Sequence, residues 1–317
     1  MREILYTSSD GTTPVYAYIW EPQGNAAGII QFVHGCSEHM QRYKDFAGFM
    51  TKNGFIVCGH DQLGHGKTAA GMYGNIGKNG HKLLAKDTYK LTSILKKEYA
   101  LPVVLTGAGC GSLVARYAAS LWSIEYNGAI FIGTSGGGLH INFLNRLTSV
   151  PGVKKGREKD AQWIGKMVLH RMGRHFDASE EGNSWLTRDA SEVSAFEYDP
   201  MCGHPLTYGS YIDILKLARI TNSNKWAARM PKNLPTYLLS GLNDPMGDFG
   251  RGVVKVYSRL VNAGASNLEI RLYENARHEI LFELNRYEVY EDIVKWIEGS
   301  DFISKGGKNG KYEKHTY

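Results

Sequence analysis

This 317-residue chain lacks most of what would commit it to a staple, a span or a nucleic-acid partner. Its four cysteines, Cys36, Cys58, Cys110 and Cys202, are far apart and form no C-x-x-C pair. That spacing argues against a disulfide framework or a zinc site and fits free thiols in a reducing compartment. No window approaches eighteen apolar residues, so no transmembrane helix is expected. The opening Met1-Arg-Glu-Ile-Leu-Tyr6 lacks the apolar core of a secretory signal. The expected location is the cytoplasm. The net charge of +6 is modest, and part of it falls in Lys305-Gly-Gly-Lys-Asn-Gly-Lys311, which leaves no nucleic-acid footprint. Apart from that tail there is no low-complexity tract, and no internal repeat.

What is present is a globular composition, 43% hydrophobic and 21% charged, long enough for one large α/β domain or two ordinary ones. Residues 4–6 and 15–20 alternate around Ser9-Asp10-Gly11 and read as a hairpin. Residues 28–33 and 55–58 are continuous apolar runs suited to buried central strands. Between them Tyr43, Phe46, Ala47 and Met50 recur at helical spacing, and Asn53-Gly54 supplies the stop. Residues 87–99 predict a helix, 103–106 a strand with a helix directly after it, and 128–133 a strand. From about 135 to 232 strand signals vanish. The rhythm then returns with strands at 236–240 and 268–273 and helices at 253–261 and 287–297. Strand and helix in alternation imply a doubly wound, largely parallel sheet. The expected division is a core of 1–134 and 234–300, a helical cap of 135–233, and a polar tail of 301–317.

The chemistry is concentrated where the strand at 103–106 meets its helix, at Gly107-Ala-Gly-Cys-Gly111. A strand that turns this sharply needs glycine where backbones crowd or φ turns positive. The spacing is that of G-x-S-x-G, the nucleophile elbow of α/β-hydrolases, with Gly109 where the serine should stand. Acyl transfer also needs a base, an acid to orient it and donors for the oxyanion. Asp244 follows the strand at 236–240, and His278 follows the strand at 268–273. Taken singly, Asp244-Pro245 is a common turn and His278 a loop histidine. Their order behind the elbow, each at a strand end, favours an acid and a base. His34-Gly35-Cys36-Ser37-Glu38-His39 ends the strand at 28–33, where the N–H groups of Cys36 and Cys110 would hold an oxyanion. A plain strand-end turn is the alternative for His34-Gly35.

With these residues together, the chain resembles the monoacylglycerol lipase, lysophospholipase and serine aminopeptidase-like branch of the α/β-hydrolases. His34-Gly-x-x-Glu38-His39-x-x-Arg42-Tyr43 is similar to that branch's H-G-x-x-E-H-x-x-R-Y, and Asp61-Gln-Leu-Gly64-His65-Gly66-Lys-Thr68 to its D-x-x-G-H-G-x-S/T. The segments around Asp244, Arg277-His278-Glu279, Trp185-Leu-Thr-Arg-Asp189 and Asp199-Pro-Met-Cys202 resemble it too. The resemblance implies a mostly parallel eight-stranded sheet with an inserted helical cap, a lipid-like monoester as substrate, and no cofactor. It also implies a triad of position 109, Asp244 and His278, with His34 and Gly35 near the substrate. Trp163, Ile164, Met167, Val168 and Met172, with Phe143, Leu144 and Leu147, would line an acyl tunnel, or simply fill the cap's own core. Arg171, Arg174 and His175, with Lys154, Lys155, Arg157 and Lys159, would face a lipid surface transiently, or form an ordinary solvated face. Two residues depart from the pattern: Ala108 stands for the usual histidine and Gly109 for the serine. Three readings follow. One is a hydrolase scaffold that has lost serine-type turnover, with ester or, in the aminopeptidase-like variant, amide substrates. Another is a pseudo-hydrolase that binds an acyl ligand, and the third a hydrolase with Cys110 as a displaced nucleophile. Ser112, on the first helical turn, reads as packing or capping.

Overall fold

The computed structural model describes residues 1–137, 146, 148, 156–176 and 182–301. Phe143, Leu144, Leu147, Lys154, Lys155 and tail positions 302–317 lie outside the described residues. The chain builds one eight-stranded sheet, the architecture expected above. Its strands are β1 (Arg2–Thr7), β2 (Pro14–Trp20), β3 (Gly28–Val33), β4 (Phe55–His60), β5 (Val103–Ala108), β6 (Gly128–Ile132), β7 (Thr236–Gly241) and β8 (Leu268–Tyr273). They lie in the order β1-β2-β4-β3-β5-β6-β7-β8. β1 and β2 run antiparallel at one edge and every pair from β4 to β8 is parallel. Every residue of β3, β4, β6 and β7 is buried, which is why those strands read as continuous apolar runs, whereas edge strand β8 alternates.

The sheet is covered on both faces. α1 (Lys44–Lys52) and α9 (Arg286–Gly299) close one side with Phe46, Met50, Val289 and Ile293. α2 (Gly80–Tyr99), α3 (Cys110–Leu121) and α8 (Arg251–Asn262) close the other with Leu91, Leu95, Val114, Val256 and Leu260. The helix expected from 87 begins seven residues earlier. Its first turns carry little apolar periodicity and are buried by tertiary contact, with His81 paired to Asp213.

Between β6 and β7 the described residues form no named strand. They hold α4 (Gln162–Gly173), α5 (Ala190–Tyr198), α6 (Tyr208–Thr221) and α7 (Asn224–Arg229). Asp189, Thr207 and Ser223 cap the last three, each accepting a first-turn N–H. Leu217, Ala218 and Trp226 pack into the core shared with α2, α3 and the sheet. Trp185, Leu186 and Phe196 form a separate cluster with Met172. Among the described residues no helix is long and apolar enough to cross a membrane.

Candidate active site

Close approach dictates the elbow's glycines. A Cβ on Gly111 would stand 2.2 Å from the carbonyl oxygens of Val33 and His34, and one on Gly107 2.5 Å from that of Gly111. The end of β3 is thereby pressed against the start of α3. Gly109, between β5 and α3, has φ 53° and ψ −122°, a conformation costly for any residue with a side chain. Ser112 faces inward, its hydroxyl bonded to the Gly109 carbonyl and to Thr134 Oγ1. It is a local brace, as its position on the first turn suggested.

The loops after β7 and β8 bring Asp244 and His278 to the same point. Asp244 is fully buried, and its Oδ1 accepts the Met246 N–H at 2.9 Å. His278 Nδ1 lies 2.9 Å from that oxygen, and the contact is a charge pair rather than a well-aligned hydrogen bond. On the other side of the ring, Nε2 lies 3.0 Å from where a Cβ on Gly109 would be. Trp185 packs against the imidazole with ring centroids 5.1 Å apart, and a Cβ on Gly133 would stand 3.2 Å from Cε1. Burial pulls the imidazole pKa down. The Asp244 carboxylate outweighs it, aided by Glu279 and Cys110, and holds the group up at about 9. The imidazole is therefore mostly protonated at neutral pH, with no hydroxyl at 109 to serve as its partner.

A buried charge network holds the loop after β3. Glu38 accepts the Gly35 N–H and the Tyr43 hydroxyl, and pairs with Arg42. Arg42 also grips Glu279 through two bonds of 3.0 and 2.8 Å. The residue next to His278 is thus tied to the loop that carries Cys36. Burial pushes the Glu38 carboxyl up against the pull of Arg42. Among the described main-chain hydrogen bonds neither the Cys36 nor the Cys110 N–H has an acceptor, and the Cys36 N–H bears on the Cys110 sulfur instead.

His34 requires a correction, because it does not reach the site. It is fully buried, with Nδ1 2.8 Å from the Gly35 carbonyl, while Nε2 accepts the Gln62 N–H at 3.0 Å. Burial keeps its imidazole neutral. Its place is a brace under the loop.

A cavity of about 600 Å³ opens from this point. Gly35, Cys36, Gly109, Cys110 and His278 form one part of its wall. Met167, Val168 and Met172 of α4 and Tyr211, Ile214 and Leu215 of α6 supply an apolar part. Trp163 is the second correction. It is 46% exposed, and its indole N–H donates to the Tyr208 hydroxyl at 2.6 Å, off the cavity wall. Ile164 is fully buried and also stands off that wall. Of the cationic residues between β6 and β7, Arg171 and Arg174 line the cavity, Arg157 pairs with Asp213, and His175 packs on Phe249. Beyond the cavity's edge, His39, Asp199 and Cys202 bring three ligand-type atoms within 4.8 Å of one another. His39 Nε2 and Asp199 Oδ2 are already paired at 2.8 Å, and the Arg42 charge bears on Asp199 and Cys202, so the group acts as a tie and disfavours a cation.

Sequence reasoning passed over Trp185 as a ring partner, Tyr211 on the cavity wall and Gly133 beside His278. Tyr211 and Gly133 have no local signature, and the segment that holds Trp185 says nothing of the ring it packs on. Glu38 and Arg42 lie four residues apart in one segment, but the second partner of Arg42, Glu279, lies more than two hundred residues away.

Comparison with known proteins bears on this arrangement. The family described as "Serine aminopeptidase, S33" matches residues 24–285. The monoglyceride lipase homolog of Monkeypox virus is 25% identical over 294 residues, covering 90% of this chain and 92% of that protein. Monoglyceride lipase of Rattus norvegicus is 23% identical over 288 residues, covering 89% and 86%. Among solved structures, a highly thermostable carboxyl esterase from Bacillus coagulans in complex with glycerol superposes with a TM-score of 0.88 at 30% identity. That superposition covers 94% of this chain and 98% of the esterase.

Proposed function

The chain belongs to the serine aminopeptidase family of α/β-hydrolases, and from that premise we propose that it is an ester-hydrolase scaffold that binds a lipid-like acyl ligand and has lost serine-type turnover at Gly109. In this reading Asp244 and His278 are the acid and base of the triad, and position 109 is where the nucleophile would stand. The N–H groups of Cys36 and Cys110 receive the acyl oxygen. Gly35 and Met167 contact the ligand. Residues 135–233 are the cap, the core is 1–134 and 234–300, and the ligand is a monoacylglycerol, a lysophospholipid or their acyl product. Arg171 and Arg174 would meet an anionic headgroup or a lipid surface in passing. Four free thiols support a reducing, cytoplasmic setting.

One observation carries the reading: His278 Nε2 lies 3.0 Å from the Cβ position of a residue that has no Cβ, at an elbow whose backbone is kept. Removing the nucleophile of such a triad lowers kcat by roughly 10⁶, and donors plus binding leave a small residue of catalysis. The test compares the chain with Gly109→Ser and Cys110→Ala on a short-chain aryl ester, a monoacylglycerol and an aminoacyl anilide. The expected result is a gain of at least about 10³-fold in ester turnover for Gly109→Ser, with the unsubstituted chain binding a fluorescent acyl probe. Turnover by the unsubstituted chain that Cys110→Ala abolishes would transfer the nucleophile to Cys110. A gain confined to the anilide would move the substrate class to amides.

A further inference from the structure

The nucleophile's absence leaves two sulfur atoms at the same end of the cavity. Cys36 follows β3 and Cys110 opens α3, and both line the cavity half-buried. They meet because Gly111 lets the Val33 and His34 carbonyls sit against the first turn of α3. The two segments touch: a Cβ on Gly35 would stand 3.7 Å from the Ala108 carbonyl oxygen and one on Gly109 4.0 Å from the Gly35 Cα, so the residues that follow each, Cys36 and Cys110, act on one another. We propose that Cys36 and Cys110 form a redox-active dithiol that a low-molecular-weight disulfide converts to an intramolecular disulfide across the proposed oxyanion site.

The two thiols are unequal in the way such an exchange requires. Interaction with the Cys36 side chain draws the Cys110 thiol down in pKa; burial opposes it, and the charge on His278 helps. Cys110 also sits at the first position of a twelve-residue helix, where free N–H groups favour a thiolate. Cys36 is pushed up, first by that same interaction and then by burial. Of the other charged or titratable groups that bear on the pair, Glu38 opposes ionisation, and the Tyr211 hydroxyl is itself raised by burial and by both sulfurs. The remaining cysteines differ in setting. Cys58 is fully buried in β4, and Cys202 is buried beside Asp199.

The step balances as an exchange. The Cys110 thiolate attacks one sulfur of the small disulfide, forming a mixed disulfide and releasing one thiolate. Cys36 then loses its proton and attacks the Cys110 sulfur, closing the protein disulfide and releasing the second thiolate. Two protein thiols are oxidised and one small disulfide is reduced to two thiols. The new bond fixes the β3 loop to α3 where an acyl oxygen would enter. Only this consequence for binding rests on the acyl-ligand reading.

The test treats the folded full-length chain with excess glutathione disulfide at neutral pH, alkylates the remaining thiols and maps peptides without reduction. The expected result is the loss of two thiols per chain, a crosslink joining the Cys36 and Cys110 peptides, and full reversal by a dithiol reductant. Cys36→Ser should trap Cys110 as the mixed disulfide, and Cys110→Ser should leave Cys36 reduced. Alkylation of both Cys36 and Cys110 after treatment, a crosslink to Cys58 or Cys202, or a disulfide between two chains would overturn the proposal. A fluorescent fatty-acyl probe separates this proposal from the acyl-ligand reading. At least ten-fold weaker binding after oxidation supports closure, and unchanged binding with the crosslink present overturns it. No binding by the reduced chain sinks the acyl-ligand reading and leaves the dithiol standing.

Discussion

At position 109 two demands oppose each other. The backbone there, at φ 53°, suits glycine, and a side chain would add strain. Its Cβ would also press on His278 Nε2 at 3.0 Å, so the imidazole must give by a few tenths of an ångström. Gly109→Ser should therefore lower unfolding free energy by about 1–2 kcal/mol while raising ester turnover, as read by denaturant melts beside the kinetic assay. The histidine also sets a pH dependence. Its folded pKa of about 9 exceeds the ordinary 6.5, so its pairing with Asp244 stabilises fully below about pH 6.5. That contribution is lost as pH rises through about 9, and at about 1.4 kcal/mol per unit it is on the order of 3 kcal/mol. Melts from pH 6 to 10 should show the decline in the native chain and a flatter profile in His278→Gln. Equal slopes in the two would mean that His278 is not held charged by Asp244.

At the scale of elements, the site depends on how tightly α3 seats against the end of β3. Gly111→Ala would drive a methyl group to 2.2 Å from two carbonyl oxygens, and neither strand nor helix can yield cheaply. The expected cost is at least about 3 kcal/mol, measured as a fall in melting temperature. A neutral result would show that this junction is loose. The loop after β8 is clamped from the other side. Glu283 is fully buried, pairs with Arg188 at 2.8 Å and accepts the Arg277 N–H at 2.7 Å, while the Glu279 N–H reaches the Leu186 carbonyl at 2.7 Å. Arg188→Ala would leave a buried carboxylate without its cation. A loss of about 2 kcal/mol is expected, with faster cleavage around residue 185 in limited proteolysis. The strands and helices themselves were legible as apolar periodicity. The early start of α2 was not, because what buries His81 is Asp213, on α6.

At the scale of the molecule, the question is what fills a cavity of about 600 Å³ lined by α4, α6 and the strand ends. An apolar chain should gain about 0.8 kcal/mol for each methylene buried, until the cavity is full. Calorimetric titration with monoacylglycerols of rising chain length should show affinity climbing and then levelling, with a negative heat-capacity change. Affinity independent of chain length would place the acyl chain outside.

The sequence by itself determined the sheet, its parallel centre and the order of elbow, Asp244 and His278 at successive strand ends. Those follow from local periodicity and from glycines that only a sharp strand-to-helix turn requires. It also disclosed that position 109 carries no side chain. Only the tertiary structure decided which residues meet. It set His278 against Gly109 and Trp185, moved His34 beneath the loop and turned Trp163 away from the cavity. It also brought Cys36 to Cys110 across seventy-four residues of chain. Such contacts depend on how separate elements seat against one another, and the pattern along a single strand or helix carries no record of its neighbour.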